Sequence, residues 1–202
     1  SIRWFFKMEK MNLMEHSFGG LIAMRYAIKF PEHLNRLMLM NTTPQSSYWR
    51  DSSFAMMKLR EDPNSAEEKK EIVSSPEFAN KNPQTMERFF RLLFKPGFFN
   101  PLYADSLTLI FRPNYPKTAE LVNSLYKDST LVNYDLTKEL KKVKCKTLIC
   151  SSEADFAPPE ANEQLHRALK NSEYKMFDSS GHFPFVETKD EFERVLIQFM
   201  NK

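Results

Sequence analysis

Apolar residues in this chain fall into short continuous runs separated by amphipathic stretches. Residues 11–15, 36–41, 146–151 and 173–178 are such runs, each a few residues long and bounded by polar or turn-forming positions. Runs of that length read as buried strands. Residues 18–30 instead repeat apolar side chains at helical spacing until Pro31, which cannot continue a helix. Residues 189–201 form an amphipathic C-terminal helix, and residues 2–9, rich in Trp4, Phe5 and Phe6, read as the tail of another. Strands alternating with helices predict an α/β fold, with a mostly parallel sheet of about four strands covered on both faces.

Between Thr43 and about Leu136 the pattern changes to helices broken by prolines and charges, with aromatic clusters at Phe89-Phe90, Phe94 and Phe98-Phe99. This predicts a helical cap inserted over the C-terminal edge of the sheet. Its aromatics either line a pocket or form the cap's own core. The expected organisation is residues 1–43 as the first part of a core, 44–136 as the cap and 137–202 as the second part of the core.

The candidate chemistry lies where the strands end. Residues 11–20 read Met-Asn-Leu-Met-Glu-His-Ser-Phe-Gly-Gly, a strand, a sharp turn and the start of a helix. This layout lifts the Ser17 hydroxyl out of the backbone at a helix N-terminus. There the backbone N–H of Phe18 and the helix dipole can hold a developing oxyanion. A serine nucleophile needs a base, and the chain offers four histidines. His16 sits inside the turn, His33 follows the end of the first long helix, and His166 lies on an amphipathic stretch. His182 stands on a loop after an apolar run, where a side chain can face a cleft. Asp155 also follows a buried-looking strand, and Pro158-Pro159 forbid an immediate helix there. Serine, aspartate and histidine thus occur in that order, each at the end of a separate strand.

Three strings carry a family resemblance: Glu15-His-Ser-Phe-Gly-Gly, Ser152-Glu-Ala-Asp155 and Gly181-His-Phe-Pro-Phe-Val-Glu187. They resemble the α/β-hydrolase superfamily, and within it the proline iminopeptidase-like branch. The resemblance implies a partial α/β-hydrolase fold with Ser17 as nucleophile, Asp155 as orienting acid and His182 as general base. It implies hydrolysis of a small ester or amide through an acyl-enzyme, of carboxylesterase or aminopeptidase type. No cofactor and no metal are expected. The acidic nucleophile of epoxide hydrolases and haloalkane dehalogenases is replaced by Ser17, which disfavours those reactions. An aminopeptidase would need carboxylates for the free amine, for which Glu67, Glu68, Glu71 and Glu87 are available in the cap.

The chain departs from the family pattern in two places. Glu15 stands where a glycine is usual, and a carboxylate there is expected to crowd the turn or to place a charge near His182. The resemblance also covers only the later half to two-thirds of a family member. The loop that supplies a second oxyanion donor is therefore missing from the expected set. The strand at 11–15 becomes an edge with unpaired backbone groups. A homodimer, or pairing with a missing segment, through that edge or through Trp4-Phe5-Phe6, is the expectation. The alternative is a catalytically weak or silent remnant that serves as a self-associating or binding module.

Composition narrows the picture further. An apolar content of 42% with 18 Phe and 11 Met supplies ample core for a chain of 202 residues. A net charge of +3 is too mild to argue for nucleic acid, and no apolar run is long enough to span a membrane. Cys145 and Cys150 flank one strand and face opposite sides, so they cannot bond to each other. Reduced cysteines and a cytoplasmic location are expected.

Overall fold

A computed structural model describes residues 2–112, 114–125 and 129–202. Four strands, β1 (Met11–His16), β2 (Leu34–Met40), β3 (Lys146–Ala154) and β4 (Ser172–Gly181), form one parallel sheet in the order β1-β2-β3-β4. All four lie where the apolar runs place them, with ends extended by up to a few residues, except that β2 stops at Met40, one residue short of the expected end. The N-terminal helix α1 (Ile2–Phe5) is shorter than expected. Lys7 adopts left-handed backbone with φ 52°, and the N–H groups of Lys7 and Met8 donate to Trp4 O and Arg3 O, closing the helix before residue 9.

The alternation along the strands separates two cores. On β2, Leu37 and Leu39 face one side, where they join Leu21, Met24 and Ala27 of α2 (Phe18–Lys29) and Ile149 of β3. Met38 and Met40 face the other side, with Leu148, Phe177, Phe192 and Phe199. Full burial of each such side chain contributes about 1.5–3 kcal/mol, so both faces hold the sheet. Cys145 belongs to the first core and Cys150 to the second; both are free thiols on opposite sides, and burial pushes the Cys150 thiol up to about 12.

Between β2 and β3 the described chain is helical: α3 (Arg50–Leu59), α4 (Pro63–Val73), α5 (Pro76–Ala79), α6 (Pro83–Phe94), α7 (Tyr115–Leu125) and α8 (Ser129–Val132). Within the predicted span 44–136, residues 113 and 126–128 lie outside the described set. Helices α4, α5 and α6 share one starting device. Each opens on a proline, and Asp62, Ser75 or Asn82 just before it accepts N–H groups of the first turn. Proline at the first position loses no helical hydrogen bond, and such a cap is typically worth about 1 kcal/mol.

The aromatic clusters pack on each other. Ring centroids lie 4.9 Å apart for Phe78–Phe89, 5.5 Å for Phe89–Phe90 and 5.7 Å for Phe90–Phe94. Phe94 and Phe98 continue the stack onto Phe183, at 5.7 and 4.6 Å. Of the two roles open to them, these rings fill the segment's own core and join it to the loop after β4. The remaining helices α9 (Pro159–Ala168), α10 (Pro184–Glu187) and α11 (Lys189–Met200) complete the chain.

Candidate active site

The turn between β1 and α2 forces Ser17 to φ 56° and ψ −126°. Positive φ at a non-glycine residue costs about 1–3 kcal/mol and persists only where surrounding bonds impose it. Here Ser17 N–H donates to Met40 O at 3.1 Å, while Ser17 O accepts from Gly20 N and Thr43 N at 3.0 Å each. Gly20 makes the crossing possible, since a Cβ there would lie 1.7 Å from Thr42 Oγ1.

Ser17, His182 and Asp155 come together in one chain of hydrogen bonds. His182 Nε2 lies 2.9 Å from Ser17 Oγ, and His182 Nδ1 lies 2.7 Å from Asp155 Oδ1. The Asp155 side chain is 1% exposed, and its Oδ1 also accepts the Phe156 N–H at 2.7 Å. A carboxylate can only accept, so the neutral imidazole carries its proton on Nδ1 and turns a lone pair toward the serine hydroxyl.

The loop bearing His182 is held from several directions. Its N–H donates to Gly97 O at 2.5 Å. Glu187 accepts Gly181 N–H at 2.7 Å, Asn100 N–H at 2.9 Å and Phe99 N–H at 3.3 Å, tying the end of β4 to the segment after α6. Gly181 must be glycine, because an added Cβ would sit 2.1 Å from Gly97 O. Asn41, fully buried with φ 44°, donates to Gly181 O and Ser152 Oγ.

His16 also reaches this loop. Its Nε2–H donates to the His182 carbonyl at 2.8 Å, and the two rings lie 4.6 Å apart. Burial first, and the neighbouring His182 second, lower its pKa to about 4. His16 is thus a neutral donor at physiological pH, holding the His182 backbone in place. Sequence reasoning left His16 as a turn residue and gave Glu187 no role, although both stand inside the quoted strings. Gly97 carries no local signal: its importance comes from an approach between distant segments.

Glu15 lies against α2, where a Cβ on Gly19 would come within 2.5 Å of its Oε2. The absence of a side chain at Gly19 makes room for the carboxylate, which relieves the crowding expected of it. The hydrogen bonds of the His182 side chain go to Ser17 and Asp155.

A cavity of about 320 Å³ opens over Ser17 and His182, walled largely by apolar side chains such as Phe54, Met57, Leu131 and Phe156. Among the described residues, no group of three His, Cys, Asp or Glu is placed to hold a metal, and no helix is long and apolar enough to cross a membrane. Of the glutamates considered for an amine, Glu67 pairs with Lys70, Glu68 with Arg88 and Glu87 with Arg91. Glu71 lines a different cavity with Arg88 and Gln84.

Known proteins match this picture in sequence and in fold. Residues 6–189 match the family model described as alpha/beta hydrolase fold. A proline iminopeptidase from Clostridium botulinum is 29% identical over 202 residues, covering 96% of this chain and 67% of the relative. A proline iminopeptidase from Heyndrickxia coagulans is 24% identical, covering 99% and 70%. Among solved structures, an alpha/beta fold family hydrolase from Bacillus anthracis superposes with a TM-score of 0.67 at 20% identity, over 99% of this chain and 69% of that one. The chain therefore spans about two thirds of the proteins it resembles, and with its parallel sheet and strand-end site it belongs to the alpha/beta hydrolase fold family.

Proposed function

We propose that the chain is a serine hydrolase that cleaves a small ester or amide through an acyl-enzyme. The observation that carries this reading is the continuous run of contacts from Asp155 Oδ1 through His182 to Ser17 Oγ. In this mechanism His182 Nε2 takes the Ser17 proton as Oγ attacks the carbonyl carbon. The protonated imidazole then gives that proton to the leaving alkoxide or amine. Water, deprotonated by the same nitrogen, releases the acid and frees Ser17. Asp155 keeps the tautomer and stabilises the imidazolium. The Phe18 N–H, in the first turn of α2, is the oxyanion donor, assisted by the helix dipole.

Ester cleavage is the favoured reaction, because alkoxides leave more readily than amines and so demand less of the oxyanion site. Proline iminopeptidase activity is the version that the names of the curated relatives support. The helical segment between β2 and β3 serves as a cap in this reading. The two free, buried cysteines favour a reducing, cytoplasmic setting. We also propose that the outer edge of β1 pairs with a second copy, since β1 bonds only to β2 among the described strands and Trp4, Phe5 and Met14 are exposed nearby in the chain.

Intact-mass spectrometry after fluorophosphonate treatment tests the reading. One adduct, absent in Ser17→Ala and in His182→Ala, is the expected result. A folded protein that takes no adduct would overturn it and favour a binding or self-associating module, the reading that the open β1 edge supports.

A further inference from the structure

The charges around the cavity point to the kind of acyl group it holds. Two charged side chains line it among the described residues, Asp155 and Arg50. Asp155 is 1% exposed, and its Oδ1 is engaged by His182 and by the Phe156 N–H, so it offers a ligand little accessible surface. Arg50, at the start of α3, donates one Nη1–H to Val132 O at 3.0 Å, which places its guanidinium between two walls of the cavity. A guanidinium carries five N–H donors, so most remain for a ligand. Its Nε lies 3.7 Å from Asp51, a carboxylate 92% exposed; such a pair is weak and does not cancel the charge.

A second cation reinforces the field. Arg25 lies 6.0 Å from the Tyr134 ring, and the Tyr134 phenol, on the cavity wall, feels the charges of both Arg50 and Arg25. Its hydroxyl donates to Pro44 O at 3.1 Å, fixing that wall. The cavity also presents Phe54, Met57, Leu131 and Phe156, and no carboxylate beyond Asp155 among the described residues. A volume of about 320 Å³ accepts on the order of ten non-hydrogen atoms at liquid density.

We propose that Arg50 is the specificity determinant of this cavity, and that the preferred acyl group is a short apolar chain ending in a carboxylate, with ammonium-bearing groups excluded, which selects the ester version of the proposed reaction over the iminopeptidase version. The proposal rests on the acyl-enzyme reading for its reaction, but its core is a binding preference that is measurable without chemistry. The Arg50 side chain is 42% exposed, so it meets a ligand at the mouth of the cavity; a carboxylate there gains from bidentate geometry on the guanidinium, whereas an ammonium meets like charge and no acceptor carboxylate.

Calorimetric titration of the Ser17→Ala protein with monomethyl adipate, methyl hexanoate and methyl 6-aminohexanoate tests the binding preference. The expected result is that monomethyl adipate binds about tenfold more tightly than methyl hexanoate, with the amine weakest. Arg50→Met should abolish the ratio and Arg50→Lys should restore part of it. Merely loosening the Val132 wall would weaken all three ligands alike. Equal binding of the three esters, or preference for the amine, overturns the proposal. The corresponding p-nitrophenyl esters, assayed on the wild-type protein, separate the two readings. Anion preference in binding without any turnover would overturn the acyl-enzyme reading and leave the Arg50 subsite standing. Turnover with no preference for the anionic ester would do the reverse.

Discussion

The two sides of the candidate site are built differently. On the His182 side, the loop is fastened to the segment after α6 through Gly97 and Glu187, to β1 through His16 and to β2 through Asn41. On the Ser17 side, bonds reach back to Met40 and Thr43 on the β2 side, while the outer flank of β1 leaves Asn12 and Met14 exposed. His182 is over-determined and Ser17 is supported from one flank. The ground-state arrangement of base and nucleophile therefore does not need further protein. What does remain open to an outside contribution is the oxyanion side, where a second donor is worth on the order of a hundred- to a thousand-fold in rate.

The sharpest way to break this contrast is to remove a member of the bonded chain. Ser17→Ala or His182→Ala should lower ester turnover by a factor on the order of 10⁴–10⁶ while circular dichroism stays unchanged, as steady-state kinetics and spectra on the same samples will show. A smaller effect comes from His16. Its imidazole protonates near the usual 6.5 in the unfolded chain but only near 4 in the folded one. Between those values the unfolded state binds the extra proton, so stability is full above about 6.5 and falls as pH drops toward 4. That loss is on the order of 3 kcal/mol. Urea titrations at intervals across this range should reveal the slope, and His16→Asn should flatten it.

Gly181→Ala tests whether the base side is as tightly closed as its distances suggest. With Gly97 O in the way, a cost of about 2 kcal/mol or more is expected, a fall of roughly 4–8 °C in Tm by calorimetry. Glu187→Gln should cost less, about 1.5 kcal/mol, because an oxygen remains to accept one N–H while the new NH₂ meets donors. Its kinetic signature is a lowered kcat with KM little changed. The open flank leaves the site's own bonds untouched, so its test reads association and not turnover or stability. Light scattering on a size-exclusion column should show a second copy associating at micromolar concentration, and a clean monomer would count against pairing through β1.

The same contrast explains what the sequence made legible. Strand positions and the helix after Ser17 follow from apolar periodicity and from Pro31, because local pattern decides them. Ser17, Asp155 and His182 could be found because each sits at a strand end in a recognisable string. In the helical segment the pattern went no further than helices broken by prolines; the structure puts Pro63, Pro76 and Pro83 at the starts of α4, α5 and α6. The early end of α1 was not legible, since a left-handed Lys7 has no strong sequence mark. Nor were the uses of His16, Glu187 and Gly97, because each depends on which backbone group another segment brings within reach. Nor were the surroundings of the glutamates considered for an amine legible: the same or a neighbouring helix supplies basic partners to Glu67, Glu68 and Glu87.

The Glu187 clasp has a mechanical consequence. It fastens residues 99 and 100 to the strand end that carries the base, and Gly97 is fastened to His182 itself. That end of the helical segment cannot swing without dragging the imidazole off the serine. Residues 97–100 are therefore the anchored end of the segment, while Arg50, bonded to Val132 O, ties α3 to α8 within the segment itself.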